Sequence, residues 1–237
     1  MDLLLFGALP YMALALFIAG TIYRYKTGFK YSSLSSQLLE TERLFSASLA
    51  FHIGIITIFL GHLVGFLAPS LFIPIGGSSL VIVETIGVMF GVLALIGMVL
   101  LFYRRVTNDR VKMVTNKMDI IIEILLMVQF IIGILIAIDM HWGSQWYLSN
   151  MVPYLHSIFS FQPDISGISV MKPLAQVHVV IAFLIIGLVP FTRLVHFLVA
   201  PFHYIFRPFQ VVRWYWNPKT IRDENQQWKD VRRPKNN

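Results

Sequence analysis

The chain has 237 residues, of which 57% are hydrophobic and only 13% charged, against roughly 45–50% and 25% in an average soluble domain. With a mean hydropathy of +0.70, too little polar surface remains to coat a water-soluble globule, so an integral membrane protein is expected. The absence of cysteine excludes disulfides, zinc ribbons, iron–sulfur ligation and covalently attached c-type haem, and the net charge of +7 flanks apolar runs instead of forming a nucleic-acid patch.

A bilayer core of ~30 Å needs ~20 apolar residues as helix. Five runs qualify: Leu3–Tyr23, Ala47–Pro69, Val81–Tyr103, Met118–Asp139 and Leu174–Ala200. They predict an all-α integral membrane protein with five transmembrane helices. The first run follows Asp2 rather than a basic segment and is too long for a cleaved signal peptide. Its Pro10 lacks a backbone N–H and should kink the helix or mark a boundary within it.

The connections alternate in charge. Arg24, Lys26, Lys30 and Arg43 follow the first span, and Arg104, Arg105, Arg110, Lys112 and Lys117 follow the third. Eight more basic residues, Arg207 to Lys235, lie in the tail, whereas the other side carries only Lys172. Positive charge is retained on the cytoplasmic side. The N-terminus is therefore expected outside and the C-terminus inside, in a multi-pass protein of the cell membrane. Residues 1–201 read as the transmembrane domain. Residues 202–237 read as an interfacial tail, with aromatic and basic residues alternating in Phe206–Trp216, either an anchor or a docking segment for a soluble partner. Trp142, Trp146, Tyr147 and Tyr154 in the long outer connection predict an interfacial aromatic belt with a short amphipathic segment on the membrane surface.

Ionisable residues inside spans are costly and mark functional sites by default. His52 and His62 lie in span two, and His178 and His196 in span five. At ~1.5 Å per residue, the first pair differs by about 15 Å in depth and the second by about 27 Å along a straight helix. The two spans run in opposite directions, so His52 and His196 share the inner level and His62 and His178 the outer one. Two facing imidazoles at each level suit axial ligation of a planar haem, giving two b haems as the hypothesis. A bare transition-metal site would normally add carboxylates, and spans two and five contain none. Gly54, Gly61, Gly65 and Gly187 offer either room for a flat macrocycle or ordinary small-residue helix packing. Arg193, three residues before His196, is placed either to neutralise a haem propionate or to snorkel to the interface.

At these residues the chain resembles the gamma subunit of membrane-bound respiratory nitrate reductase, its dihaem cytochrome b. The resemblance runs from Tyr11 to about Arg213. It is carried by Arg24–Tyr25, the run SSQLLE at Ser35–Glu40, Phe51–Gly54 leading to Gly61–His62, Tyr103–Arg105, and the run PFTRLVH at Pro190–His196. It implies His62 and His178 as ligands of the outer haem, His52 and His196 as ligands of the inner one, and quinol oxidation near Gly61 and His62. It also implies electron delivery to an iron–sulfur beta subunit and a molybdenum alpha subunit on the cytoplasmic side, with neither iron–sulfur cluster nor molybdenum in this chain. The family's lysine near the start of span three is missing, since no lysine lies between Lys30 and Lys112; Glu84 is the nearby candidate to accept a quinol proton. The alternatives are a dihaem subunit of a sulfur-compound or heterodisulfide reductase, a proton-coupled transporter using the histidines as relays, and a scaffold that only tethers partners.

Overall fold

A computed structural model describes residues 1–27, 42–71, 77–140 and 146–199. Within them the chain is all-helical: α1 (Leu9–Lys26), α2 (Glu42–Leu67), α3 (Gly77–Thr107), α4 (Asp109–Lys112), α5 (Lys117–Met140), α6 (Val152–Phe159), α7 (Ser166–Ser169) and α8 (Pro173–Leu188). Five helical stretches are long and apolar enough to cross a membrane: Leu3–Lys26, Leu44–Leu67, Ser78–Thr107, Lys117–Met140 and Pro173–Phe191. Each matches one expected run. The tail and its boundary at residue 201 lie outside the described residues, as do Trp142 and His141.

Pro10 marks the boundary expected of it. A π-helical segment, Leu3–Ala8, leads into α1, whose first turn holds the proline. The helix is continuous here, with the Leu9 N–H bonded to Leu4 O, and the wider π turn lies directly before the proline, which has no N–H to donate.

The fifth span departs from the straight helix expected through Ala200. α8 stops at Leu188, a 3₁₀ turn covers Val189–Phe191, Thr192 is extended (φ −121°, ψ 178°), and a second 3₁₀ stretch runs Arg193–Val199. Pro190 is the cause: it donates no hydrogen bond and its ring crowds the carbonyl four residues back. Gly20 of α1 accommodates the break, since a Cβ there would lie 2.8 Å from Pro190 Cβ. His196 therefore follows a bend, and the 27 Å depth taken from a straight helix does not apply to it.

The spans pack as an arc, α2 on α3, α3 on α5, α5 on α8 and α8 on α1. α2 and α8, which carry three of the four histidines, do not stand among these main pairings, though Ile55 and Ile58 share an apolar cluster with Ile185 and Leu188. Small residues draw the helices together. A Cβ on Gly54 would sit 2.6 Å from Ala94 N, one on Gly97 2.4 Å from Phe51 N, and one on Gly187 3.3 Å from Ala13 Cα. Gly54 and Gly187 thus serve helix packing, the plainer of the two readings offered by the sequence.

The described part of the connection before α8 packs into the protein. Its residues fold onto the helix ends, with Ile158 and Ile168 fully buried and Tyr147 and Tyr154 buried as well. Tyr154 Oη donates to Phe6 O at 2.9 Å and Tyr11 Oη to Ile158 O at 3.1 Å. A tyrosine with a carbonyl partner buries its ring without stranding its hydroxyl, so composition alone does not separate core from belt. Half-buried Trp146 donates Nε1–H to Met140 O at 2.8 Å.

Candidate functional site

At the end of the bundle that carries Arg104, Arg105 and Lys117, the structure brings His52 of α2 and His196 of the last 3₁₀ stretch together. Their ring centroids are 6.0 Å apart with the planes at 67°. His52 Nδ1 lies 2.7 Å from Ser48 O and 3.2 Å from Ser48 Oγ, and His196 Nδ1 lies 2.6 Å from Arg193 O. A carbonyl only accepts, so each Nδ1 carries the proton and each Nε2 keeps its lone pair. That is the usual arrangement of ligating histidines, whose second nitrogen is tied down by a hydrogen bond. Two imidazoles sharing one metal at about 2 Å each also have centroids about 6 Å apart.

Both rings line an open cavity of about 150 Å³. Phe51, Ile122 and Leu126 form its apolar wall and Arg105, Asp119, Glu123 and Arg193 its polar end. Arg193, singled out by its spacing from His196, donates Nε–H to Asp119 Oδ1 at 2.9 Å and a guanidinium N–H to Val114 O. Arg105 donates Nε–H to Glu123 at 2.8 Å and reaches Asp119 Oδ2 at 3.4 Å. Asp119 is only 1% exposed. It also accepts from the Asn116 N–H at 3.1 Å, while Asn116 Oδ1 accepts from the Asp119 N–H at 2.8 Å. This reciprocal cap starts α5. In the sequence, the Asn-x-x-Asp spacing is the signal for this cap.

The other pair is less symmetrical. His62 on α2 is exposed, with Nδ1 2.8 Å from Ile58 O one turn back. His178 on α8 makes no such bond. Its Nε2 lies 3.1 Å from Gln129 Nε2 of α5, the same amide donates to His178 O at 3.1 Å, and His178 Nδ1 is buried without a hydrogen-bond partner. The ring occupies a notch at Gly133, where a Cβ would come within 3.1 Å of His178 Cε1. Gln129 and Gly133 were not anticipated, because one polar residue and one glycine in an apolar run carry no periodic signal. Of the two predicted glycines at this end, Gly65 abuts Tyr147, whose Oη would lie 3.0 Å from an added Cβ, while Gly61 faces open space. Glu84 is buried on α3.

Among the described residues, no three His, Cys, Asp or Glu side chains gather as a metal-binding group. The facing His52 and His196 offer two nitrogen donors, the number that a metal already held in a porphyrin plane can take from protein.

Known proteins bear on the whole chain. The family model described as nitrate reductase gamma subunit matches residues 2–215. The respiratory nitrate reductase 2 gamma chain of Escherichia coli (strain K12) is 35% identical over 86% of this chain and 93% of its own length. The nitrate reductase gamma chain of Bacillus subtilis (strain 168) is 32% identical over 89% and 97%. The nitrate reductase-like protein NarX of Mycobacterium tuberculosis (strain ATCC 25618 / H37Rv) is 30% identical over 89% of this chain and 33% of that longer protein. With five candidate membrane spans and a match over nearly its full length, the chain belongs to the nitrate reductase gamma subunit family, the membrane-embedded component of respiratory nitrate reductase.

Proposed function

We propose that this chain is a dihaem cytochrome b that oxidises quinol and delivers the electrons to cytoplasmic iron–sulfur and molybdenum subunits that reduce nitrate. The observation that carries this reading is the facing pair His52 and His196, whose rings stand 6.0 Å apart with both Nδ1 atoms on backbone carbonyls. The residues fit a b haem there in donor type, tautomer and apolar wall, and His62 and His178 supply the same donors for a second. When bound, each haem supplies a one-electron redox centre whose potential is set by ligand basicity, burial and nearby charge.

The chain's own residues do the rest. Backbone carbonyls hold His52, His62 and His196 in the Nδ1–H tautomer, and Arg105 and Arg193, each paired with a carboxylate, form the polar end of the cavity. Phe51, Ile122 and Leu126 give the site its apolar wall. The basic connections put the His52–His196 end inside and the His62–His178 end outside. Quinol protons are then released outside while electrons leave inside, which stores about 2.3 kcal/mol per charge at 100 mV.

The test is a visible spectrum with haem extraction on the purified complex. The intact protein is expected to show a reduced b-type α-band and two haems per gamma chain, and His196→Ala and His62→Ala are each expected to retain one. A colourless preparation, or two haems in either variant, overturns the assignment. Gly61→Ala gives a second check. An added methyl meets nothing in the protein, so thermal stability and haem content should stay unchanged. If quinol approaches His62 along this face, quinol-dependent turnover should fall about tenfold, the equivalent of 1.4 kcal/mol of lost binding.

A further inference from the structure

One turn beyond Gly61 and His62 on α2 stand Gly65 and Phe66, because residues four apart lie above one another on a helix. The connection before α8 covers both. Tyr147, in the π-helical turn before α6, rests on Gly65, where an added Cβ would lie 3.0 Å from its Oη. His156 of α6 rests on Phe66 with ring centroids 4.9 Å apart, and Phe159 packs on the same phenyl ring at 5.4 Å. These residues roof the face along which the proposed function brings quinol to His62.

His156 Nε2 lies 3.1 Å from Phe66 O. A carbonyl only accepts, so Nε2 carries the proton and Nδ1 keeps a lone pair. Phe66 lies in the last turn of α2, which ends at Leu67, and carbonyls of a last turn have no intrahelical N–H partner. That end of a helix carries partial negative charge, a setting that suits a transient imidazolium. The His156 side chain is exposed, so a proton taken up there can pass to water. The place of α6 does not depend on this one bond. On its other side Tyr154 Oη donates to Phe6 O at 2.9 Å and Tyr11 Oη to Ile158 O at 3.1 Å, tying α6 to the first span.

We infer that His156 is the proton acceptor for quinol oxidised at this end of the bundle. The inference rests on that proposed activity. Oxidation of one quinol breaks two O–H bonds and yields a quinone, two electrons and two protons. The electrons go one at a time to the oxidised haem of the proposed function. Each proton moves from a quinol hydroxyl to His156 Nδ1 and then to the water on this side, leaving the ring neutral for the next. The other titratable groups described around α6 are engaged differently. Tyr11 and Tyr154 donate to carbonyls, Tyr147 is buried against Gly65, Asp164 accepts from the Ser166 N–H at 2.9 Å, and His62 Nδ1 is held by Ile58 O. His156 is the base among them that touches both the α2 face and water.

The experiment follows oxidation of menadiol by the full complex across pH, with native protein, His156→Gln and His156→Ala. Glutamine keeps an N–H for Phe66 O but takes up no proton. It is expected to slow menadiol oxidation about a hundredfold, the lower end of what a positioned acid or base contributes. The rise in rate as the imidazole becomes neutral should disappear with it, while both haems and their potentials stay native. The alanine variant is expected to regain rate in added imidazole, which a merely structural role would not allow. A native rate and pH profile in the glutamine variant, or an alanine variant that imidazole does not restore, overturns the inference. Loss of haem in the glutamine variant also overturns it, because His156 would then serve the fold. Native behaviour of His156→Gln with the pH-dependent rise lost in Glu84→Gln would give the proton to Glu84 instead. If the native complex does not oxidise menadiol at all, the proposed function fails rather than the role of His156.

Discussion

Asp119→Ala is expected to destabilise the helical bundle by about 3 kcal/mol, the lower end of the cost of removing one partner from a buried ion pair. The lower end applies because Arg193 and Arg105 retain 43% and 17% side-chain exposure, whereas Asp119 has 1%. This carboxylate ties together three parts of the fold: Arg105 from α3, the cap at the start of α5, and Arg193 from the segment beyond the Pro190 break. Arg193 in turn presents the carbonyl that holds His196 Nδ1. Loss of the acid should therefore loosen His196 as well as the helix ends. Under the proposed function, the haem at this end is lost on heating before the other. Thermal unfolding of the purified complex, followed by absorbance, checks both effects. Asp119→Asn keeps an acceptor for the cap and should lose less. An alanine variant that melts with the native protein would remove Asp119 from this role.

Gly97→Val should cost a similar amount, about 3 kcal/mol, the upper end of ordinary overpacking. A Cβ at this position would meet Phe51 N at 2.4 Å, with Ala47 O and Phe51 Cα at 2.8 Å. These are backbone atoms of α2, and no rotamer change moves them aside. Gly54 makes the reciprocal approach from α2 to Ala94 and Phe90 O of α3, so the two backbones interlock through small residues, as membrane helices commonly do. Separating them displaces Phe51 and its neighbour His52, so haem content at the His52–His196 site should fall along with stability. Gly87→Ala on the same helix is the control. Nothing lies within 4 Å of its added carbon, and alanine is the better helix former by up to about 1 kcal/mol. Equal stability of the two variants would show that the α2–α3 contact is looser than its atoms imply.

Much of the fold was legible before any coordinates. Apolar runs set the five spans to within a few residues at most ends, because leaving a long apolar segment in water or a charge in lipid is costly wherever the segment packs. The sequence paired His52 with His196, and the structure brings these two rings together, although the bend at Pro190 makes the depth counted along a straight helix inapplicable. Two features that hydropathy and composition left open have local physical causes. Pro190 ends α8 in an apolar stretch that hydropathy reads as continuous. Tyr147 and Tyr154 have the composition of an interfacial belt, yet they are buried because carbonyls and apolar neighbours come to meet them.

The sequence by itself determined the class of molecule, the number of spans and the charge asymmetry of the connections. These are properties of single segments in a given solvent. Tertiary structure alone decided that Gly54 and Gly187 join helices, that Asp119 gathers two arginines, and that Gln129 reaches His178 from a different span. Such meetings depend on the relative rotation of helices far apart in the chain. A glycine, an acid or an amide in an apolar run carries no mark of which neighbour it will face.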